Sequence, residues 1–170
     1  MTYLYPYATP DGFDDLILSS DGTYLNSLYF TTSPDAPLLS SGEVHDLPIF
    51  AQTVRWLDLY FSGKAPDFTP EYRFSASPFG RRVYDSLSRI PYGQTTTYGA
   101  IAAEIAAERG LARMSAQAVG GAVGANPISL ILPCHRVVGE NGRLVGYGGG
   151  LSNKRALLRL EGWDVSAFSQ

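Results

Sequence analysis

The chain is poor in the residues that build staples and metal cages. It holds 170 residues but one cysteine, Cys134, and two histidines, His45 and His135. One cysteine makes no intramolecular disulfide, and three such side chains argue against a dedicated zinc site. Charged residues are sparse at 17%, and no stretch approaches eighteen consecutive apolar residues, so no membrane span is expected. The opening Met1-Thr2-Tyr3-Leu4-Tyr5-Pro6 has no basic segment leading into an apolar core. A secretory signal is therefore not expected, and a cytoplasmic protein is. Apolar residues make up 45% of the chain, and that length buries a core without staples.

Net charge is −3, which taken whole speaks against a nucleic-acid partner, but the charge is uneven. Residues 1–74 carry three bases against ten acids, a net −7; residues 75–170 carry ten bases against six acids, a net +4. A basic half on an acidic protein is compatible with phosphate contact through one face and equally with ordinary solvated charges.

Leu16-Ile17-Leu18 and Tyr24–Phe30 are rich in β-formers and flank Ser19-Ser20-Asp21-Gly22, which predicts a hairpin. Residues 31–46 read as a polar connection. Ile49, Phe50, Val54, Leu57 and Phe61 recur at helical spacing, and Gly63 ends that helix. Pro66 and Pro70 mark Lys64–Tyr72 as an extended linker, giving a small β-sheet with a helix over 1–73 and a mostly helical domain over 74–170, an α+β protein. In the second part Ser77-Pro78 starts a helix whose apolar side is Phe79, Val83, Leu87 and Ile90. Pro91-Tyr92-Gly93 stops it. Thr97 caps a helix over Tyr98–Glu108 with Ile101, Ala102 and Ile105 inward, and Ser115 caps another from Ala116 to about Gly124.

That last pair, joined through Gly110, is a helix-turn-helix candidate, though many helical pairs look alike. Its second helix contains Gly120, Gly121 and Gly124, each costing about 1 kcal/mol against alanine in a helix interior. Either another element packs closely there or a ligand backbone approaches from outside.

Ile128–Leu132 reads as a short buried strand, followed at once by Pro133-Cys134-His135-Arg136, with strand resuming at Val137-Val138 and a turn at Asn141-Gly142 before Leu144-Val145. A lone cysteine is commonly a small buried hydrophobe. Here Pro133 bends the chain, and cationic neighbours are expected to lower the thiol pKa from about 8.5 toward neutrality.

Pro133-Cys134-His135-Arg136-Val137, with Asn126-Pro127 and Ala118-Val119-Gly120-Gly121-Ala122 before it, resembles the cysteine box of the O6-alkylguanine-DNA alkyltransferases. Ile90-Pro91-Tyr92-Gly93, Thr97-Tyr98-Gly99, Gly146-Tyr147-Gly148-Gly149-Gly150-Leu151, Lys154 and Glu161-Gly162 follow the same family in order, over roughly residues 76–163. The resemblance implies an N-terminal ribonuclease-H-like domain and a C-terminal DNA-binding, alkyl-transferring domain. It implies a suicidal methyltransferase for DNA repair by direct reversal, transferring an alkyl group once from O6-alkylguanine to Cys134. O4-alkylthymine is a further substrate that these residues do not decide. His135 resembles the base acting through a water and Glu161 the carboxylate that orients it. Tyr98 resembles the donor to the departing guanine, and Asn126 the side chain that holds the turn. The carbonyls of Cys134 and Val137 would accept from the guanine amine, beside Tyr147, and the Gly148 N–H would face the exocyclic oxygen, where relatives often carry serine.

Ser115, Gln117, Ala118, Gly120, Gly121 and Arg136 correspond to the DNA-binding set, with the nucleotide extruded and the glycine-rich helix in the minor groove. One departure stands out: the family commonly has arginine where this chain has Gln117, which implies weaker flipping or weaker affinity. No cofactor or metal is implied; the partner is double-stranded DNA containing alkylated guanine, met by a monomer away from membranes, in the cytoplasm or at a prokaryotic nucleoid. Two other readings remain open: a protein that binds alkylated guanine without chemistry, and a thiol hydrolase built on Cys134 and His135.

Overall fold

Alternating aromatic and aliphatic residues at the start of the chain build the sheet. A computed structural model describes residues 1–169, with strands β1 (Tyr3–Tyr7), β2 (Leu16–Ser20), β3 (Leu25–Phe30) and β4 (Glu43–Val44) in the order β3-β2-β1-β4. The three long strands run antiparallel, and β4 lies parallel to β1. The expected hairpin forms, but β2 continues through Ser20. The turn falls later because the Asp21 carboxylate accepts from the N–H groups of Thr23 and Tyr24 (both 2.9 Å).

β1 has no counterpart in the sequence reading, and it contains Pro6, a residue that cannot donate to a sheet ladder. It is tolerated because the Leu4 carbonyl accepts from His45 N. The even-numbered residues of β1 thus turn their backbone toward β4, which ends at Val44, so Pro6 lies beyond its reach.

Helix α1 (Pro48–Phe61) lays Ile49, Phe50, Thr53, Trp56, Leu57 and Tyr60 inward, and Gly63 beyond it takes φ +86°. Val54 and Phe61 are only half-buried, so the buried stripe is rotated toward Trp56 and Tyr60. α2 (Pro78–Ser88) is capped by Ser77, α3 (Tyr98–Glu108) by Thr97 and α4 (Ala116–Gly124) by Ser115, each side chain accepting from a backbone N–H in the first turn. A short parallel pair, β5 (Thr96–Thr97) with β6 (Val137–Val138), ties the start of α3 to the segment after Cys134. α5 (Leu151–Leu160) ends at Glu161.

One apolar core runs through both parts: Leu16, Leu28 and Phe30 of the sheet share it with Val83, Ile105 and Leu157. The outer edge of β3 is closed by the C-terminal part. Leu28 N donates to Pro127 O (2.8 Å), and Ser129 N donates to Leu28 O (2.9 Å). That covers a strand edge and fixes the chain just ahead of Cys134 against the sheet. Among the described residues, no helix is long and apolar enough to cross a membrane.

Candidate active site

The strand expected at Ile128–Leu132 does not form; Ile128 makes a single bridge to Leu28 and the chain then turns. β3 runs on to Phe30, but only Ile128 bridges to it, and Asn126 answers the backbone of the turn instead. Its amide donates to the carbonyls of Leu132 (2.8 Å) and Ile128 (3.4 Å), and its oxygen accepts from Ile128 N (2.9 Å). Leu130 takes φ +69° inside this turn, a conformation rare for a branched side chain. Past Pro133, residues Cys134–Arg136 form one 3-10 turn. Cys134, His135 and Arg136 are all buried there, at 5%, 0% and 8% exposure.

His135 Nε2 lies 2.5 Å from Glu161 Oε2, while its Nδ1 is buried without a partner among the described residues. Burial lowers the His135 pKa, against the pull of Glu161, so the ring is neutral at neutral pH. Burial alone would raise Glu161, but its hydrogen bonds and charge contacts with His135 and Arg136 bring it down to about 2. An ionised carboxylate only accepts, so Nε2 carries the proton and Nδ1 is the bare, basic nitrogen.

Glu161 gathers further donors. Arg136 reaches it with Nε (2.8 Å) and Nη2 (3.3 Å), Tyr60 with its hydroxyl (2.6 Å) and Gly93 with its backbone N–H (2.9 Å). Gly93 takes φ +79°, a backbone conformation that favours glycine, and its position lies against the Glu161 carbonyl, 3.4 Å from where a Cβ would stand. Ile90 O accepts from Arg136 Nη1 (2.7 Å). The Ile90–Gly93 motif is thus a cradle for the pair Arg136–Glu161.

Two expectations are corrected. Arg136, expected among the DNA contacts, is turned inward and committed to Glu161 and Ile90 O, so its guanidinium is not offered to an outside phosphate. The Cys134 thiol is not lowered at rest: burial raises it, outweighing the opposing hydrogen bond from Asn126 and the charge of Lys154. The cation acting on the sulfur is Lys154, not Arg136. Lys154 is fully buried, donates from Nζ to Val137 O (2.6 Å), and lies 5.9 and 5.7 Å from the ring centroids of Tyr98 and Tyr147. Burial brings its pKa down from 10.5 to about 8, opposed by the Cys134 charge.

Cys134 lines a cavity of about 700 Å³. Tyr98, Asn126, Tyr147 and Gly148 also border it, as do Gln117, Gly120 and Gly121 of α4. Tyr98 donates to Val145 O (3.3 Å), and burial raises its pKa to about 12, so it remains a donor at any working pH. The Tyr147 hydroxyl is buried near the sulfur, short of the geometry of a formed hydrogen bond. Val137 is fully buried and does not line the cavity, and one lone pair of its carbonyl is taken by Lys154. Ser115 and Ala118 sit on the exposed side of α4, away from the cavity.

Three residues of the N-terminal part, Tyr29, Ser33 and Asp35, complete the wall; neither they nor Tyr60 carries a sequence signal for a site. Gly149 is packed so tightly on Phe30 and Tyr147 that a Cβ would come within 2.6 Å of both. On α4 the opposite holds: a Cβ at Gly121 or Gly124 would meet nothing within 4 Å. Of the two explanations for that glycine run, close internal packing is excluded at these positions.

Residues 78–163 match the family model described as "6-O-methylguanine DNA methyltransferase, DNA binding domain". A methylated-DNA–protein-cysteine methyltransferase of Mycobacterium leprae is 41% identical over 150 residues, 88% of this chain and 87% of the relative. The crystal structure of Mycobacterium tuberculosis O6-methylguanine methyltransferase superposes with a TM-score of 0.80 at 38% identity, covering 95% of this chain and 93% of that one. That of Mycobacterium tuberculosis OGT in complex with DNA gives 0.79 at 36% identity, covering 98% and 95%.

Proposed function

The chain belongs to the methylated-DNA–protein-cysteine methyltransferases, enzymes of DNA repair, and from that premise we propose that Cys134 accepts, once, the alkyl group of O6-alkylguanine in double-stranded DNA. The carrying observation is the pairing of a buried thiol, at a largely apolar cavity, with a neutral imidazole whose Nε2 is held by Glu161 and whose Nδ1 is bare.

Cys134 gives its proton through a bridging water to His135 Nδ1, and the thiolate attacks the alkyl carbon. The S–C bond forms as the C–O bond breaks; a hydrogen bond from Tyr98 to a ring nitrogen stabilises the charge on the departing guanine, which takes up the proton held by His135 through water. The product thioether has no leaving path, so the protein works once. Because burial keeps the resting sulfur protonated, Lys154 supplies the charge that makes the thiolate accessible during attack. Asn126 holds the turn, the Gly148 N–H meets the exocyclic oxygen, and the carbonyls of Cys134 and Val137 accept from the guanine amine.

A base inside a duplex is out of reach, and extruding it costs a few kcal/mol. The open glycines of α4 suit a helix that meets DNA, since no internal contact requires them and small residues let a helix approach a minor-groove backbone. In this reading α3 and α4 are a helix-turn-helix, with Ser115, Ala118, Gly120 and Gly121 against DNA and Gln117 filling the gap left by the extruded base. Residues 1–73 form a ribonuclease-H-like unit and residues 74–170 the DNA-binding and transfer unit, acting as a monomer in the cytoplasm.

Incubation with free O6-benzylguanine tests this. Intact-mass analysis is expected to show one benzyl group on Cys134 and none in Cys134→Ala. An unmodified, folded protein that still binds the lesion would leave a binding module, and guanine released in excess of protein would mean a hydrolase. Gln117→Arg is expected to tighten binding to lesion DNA several-fold at low salt. It should steepen the salt dependence of affinity by about one unit of slope, as for one added cation brought into the DNA interface; anisotropy titrations across a salt series measure both.

A further inference from the structure

Glu161 is shared by elements from both ends of the chain. Oε1 accepts from Arg136 Nε (2.8 Å) and Gly93 N (2.9 Å); Oε2 accepts from Tyr60 OH (2.6 Å), His135 Nε2 (2.5 Å) and Arg136 Nη2 (3.3 Å). Tyr60 is the one donor in this set that comes from α1, in the N-terminal part. It is fully buried, stacked on Trp56 at 5.4 Å and 6°, and edge-on to Tyr92 and to His135. Its ring cannot swing without disturbing that stack, so the hydroxyl is fixed on the oxygen that His135 uses, 3.3 Å from Nε2 itself.

We propose that Tyr60 is a positioning residue of the transfer reaction, drawing on the Glu161 Oε2 that also serves His135 and Arg136 and so setting how strongly His135 holds a proton. This rests on the proton relay described above. Each hydrogen bond to a carboxylate spreads its negative charge and lessens what remains to favour a neighbouring imidazolium. Burial and the nearby carboxylate raise the phenol of Tyr60 well above its ordinary 10, so it donates across the whole working range. The other groups facing the pair are Arg136 and Lys154, whose charges oppose an imidazolium, Cys134 in the same turn and the half-buried Tyr92. None of these changes when the Tyr60 hydroxyl is removed. The consequence for the reaction is a ring that is neutral at rest, ready to accept from the thiol.

Tyr60→Phe keeps the ring on Trp56 and removes only the donor. Oε2 then serves only His135 and the longer bond from Arg136 Nη2 (3.3 Å), and the His135 pKa is expected to rise by about 0.5–1 unit. The chain has two histidines, so ring NMR titration follows His135 beside His45, and the acid limb of the benzylguanine labelling rate should move to higher pH by the same amount. A lower melting temperature with both unmoved would overturn the proposal, because loss of packing alone does not shift a titration. If the variant does not fold, 3-fluorotyrosine placed at position 60 makes a stronger donor and is expected to move both readouts to lower pH; no movement again overturns it. Failure of the wild-type protein to label at any pH would instead sink the transfer reading, leaving the NMR shift to judge Tyr60.

Discussion

Replacing Lys154 with methionine is expected to slow benzyl transfer to Cys134 by about 10²–10³-fold, the usual cost of removing one preorganised electrostatic stabiliser, while leaving a folded protein. The sulfur starts from an unfavourable position, since burial raises its pKa. Something must meet the negative charge before the S–C bond forms. Lys154 is the cation whose charge favours the thiolate, and it is anchored by Val137 O at 2.6 Å, so little reorganisation is needed when charge appears. Methionine matches the length of the stem without the charge.

Stability and activity should therefore part company in this variant. A lysine brought from 10.5 to about 8 by burial costs the fold about 3 kcal/mol at pH 7. Between about pH 8 and 10.5 the unfolded chain binds more protons at this site than the folded one, so wild-type stability rises with pH across that window. Below pH 8 the full penalty is present, and methionine removes it. Against that gain stands the Val137 carbonyl, whose lost partner costs about 1–3 kcal/mol. The net change should stay within about 2 kcal/mol of zero at pH 7. Above pH 10 it should turn against the variant. Urea denaturation at pH 7 and 10, beside labelling kinetics, reads both; a variant that labels at the wild-type rate removes Lys154 from the chemistry.

Much of this architecture is legible in the residues because its signals are local. Ser77, Thr97 and Ser115 announce α2, α3 and α4 within a residue, since an N-cap needs only one side chain and the next turn. The cysteine box with its flanks points to the family for the same reason: Asn126, Cys134, His135 and the Ile90–Gly93 motif are short strings with fixed neighbours. What the residues hide is contact across long separations. Tyr60 and Glu161 are 101 positions apart, and a tyrosine on an amphipathic helix reads as core until its hydroxyl is seen. Arg136 next to Cys134 suggests a cation beside the thiol, yet a 3-10 turn sends adjacent side chains in different directions and gives that role to Lys154, twenty residues on. Ile128–Leu132 has strand composition, but β3 bridges only one of its residues, and Asn126 answers its backbone instead.

Glu161→Gln is expected to be the more damaging change, because the carboxylate serves both fold and chemistry. Its pKa falls from 4.5 to about 2, which is worth about 3 kcal/mol of folding stability. A carboxylate with a depressed folded value stabilises fully above the unfolded pKa. That contribution is lost as pH falls from about 4.5 through 2. Glutamine forfeits it at neutral pH and adds a second fault: its NH₂ is a donor set among donors, facing either His135 Nε2–H or the buried guanidinium of Arg136. Leaving one partner of a buried ion pair unanswered costs about 3–5 kcal/mol, a large share of the roughly 5–15 kcal/mol that holds a domain together. Urea midpoints should therefore differ strongly at pH 7 and converge as the pH is taken down toward 2. In the reaction, an amide no longer enforces the tautomer with the proton on Nε2, so Nδ1 is no longer the reliable base. The labelling rate, measured at low temperature where the variant is folded, should drop by about 10³–10⁴-fold, as when an orienting carboxylate is amidated in a hydrolase triad. Near-normal labelling in a weakened fold would mean that Glu161 is a structural anchor for Arg136, and that the proton leaves Cys134 by another route.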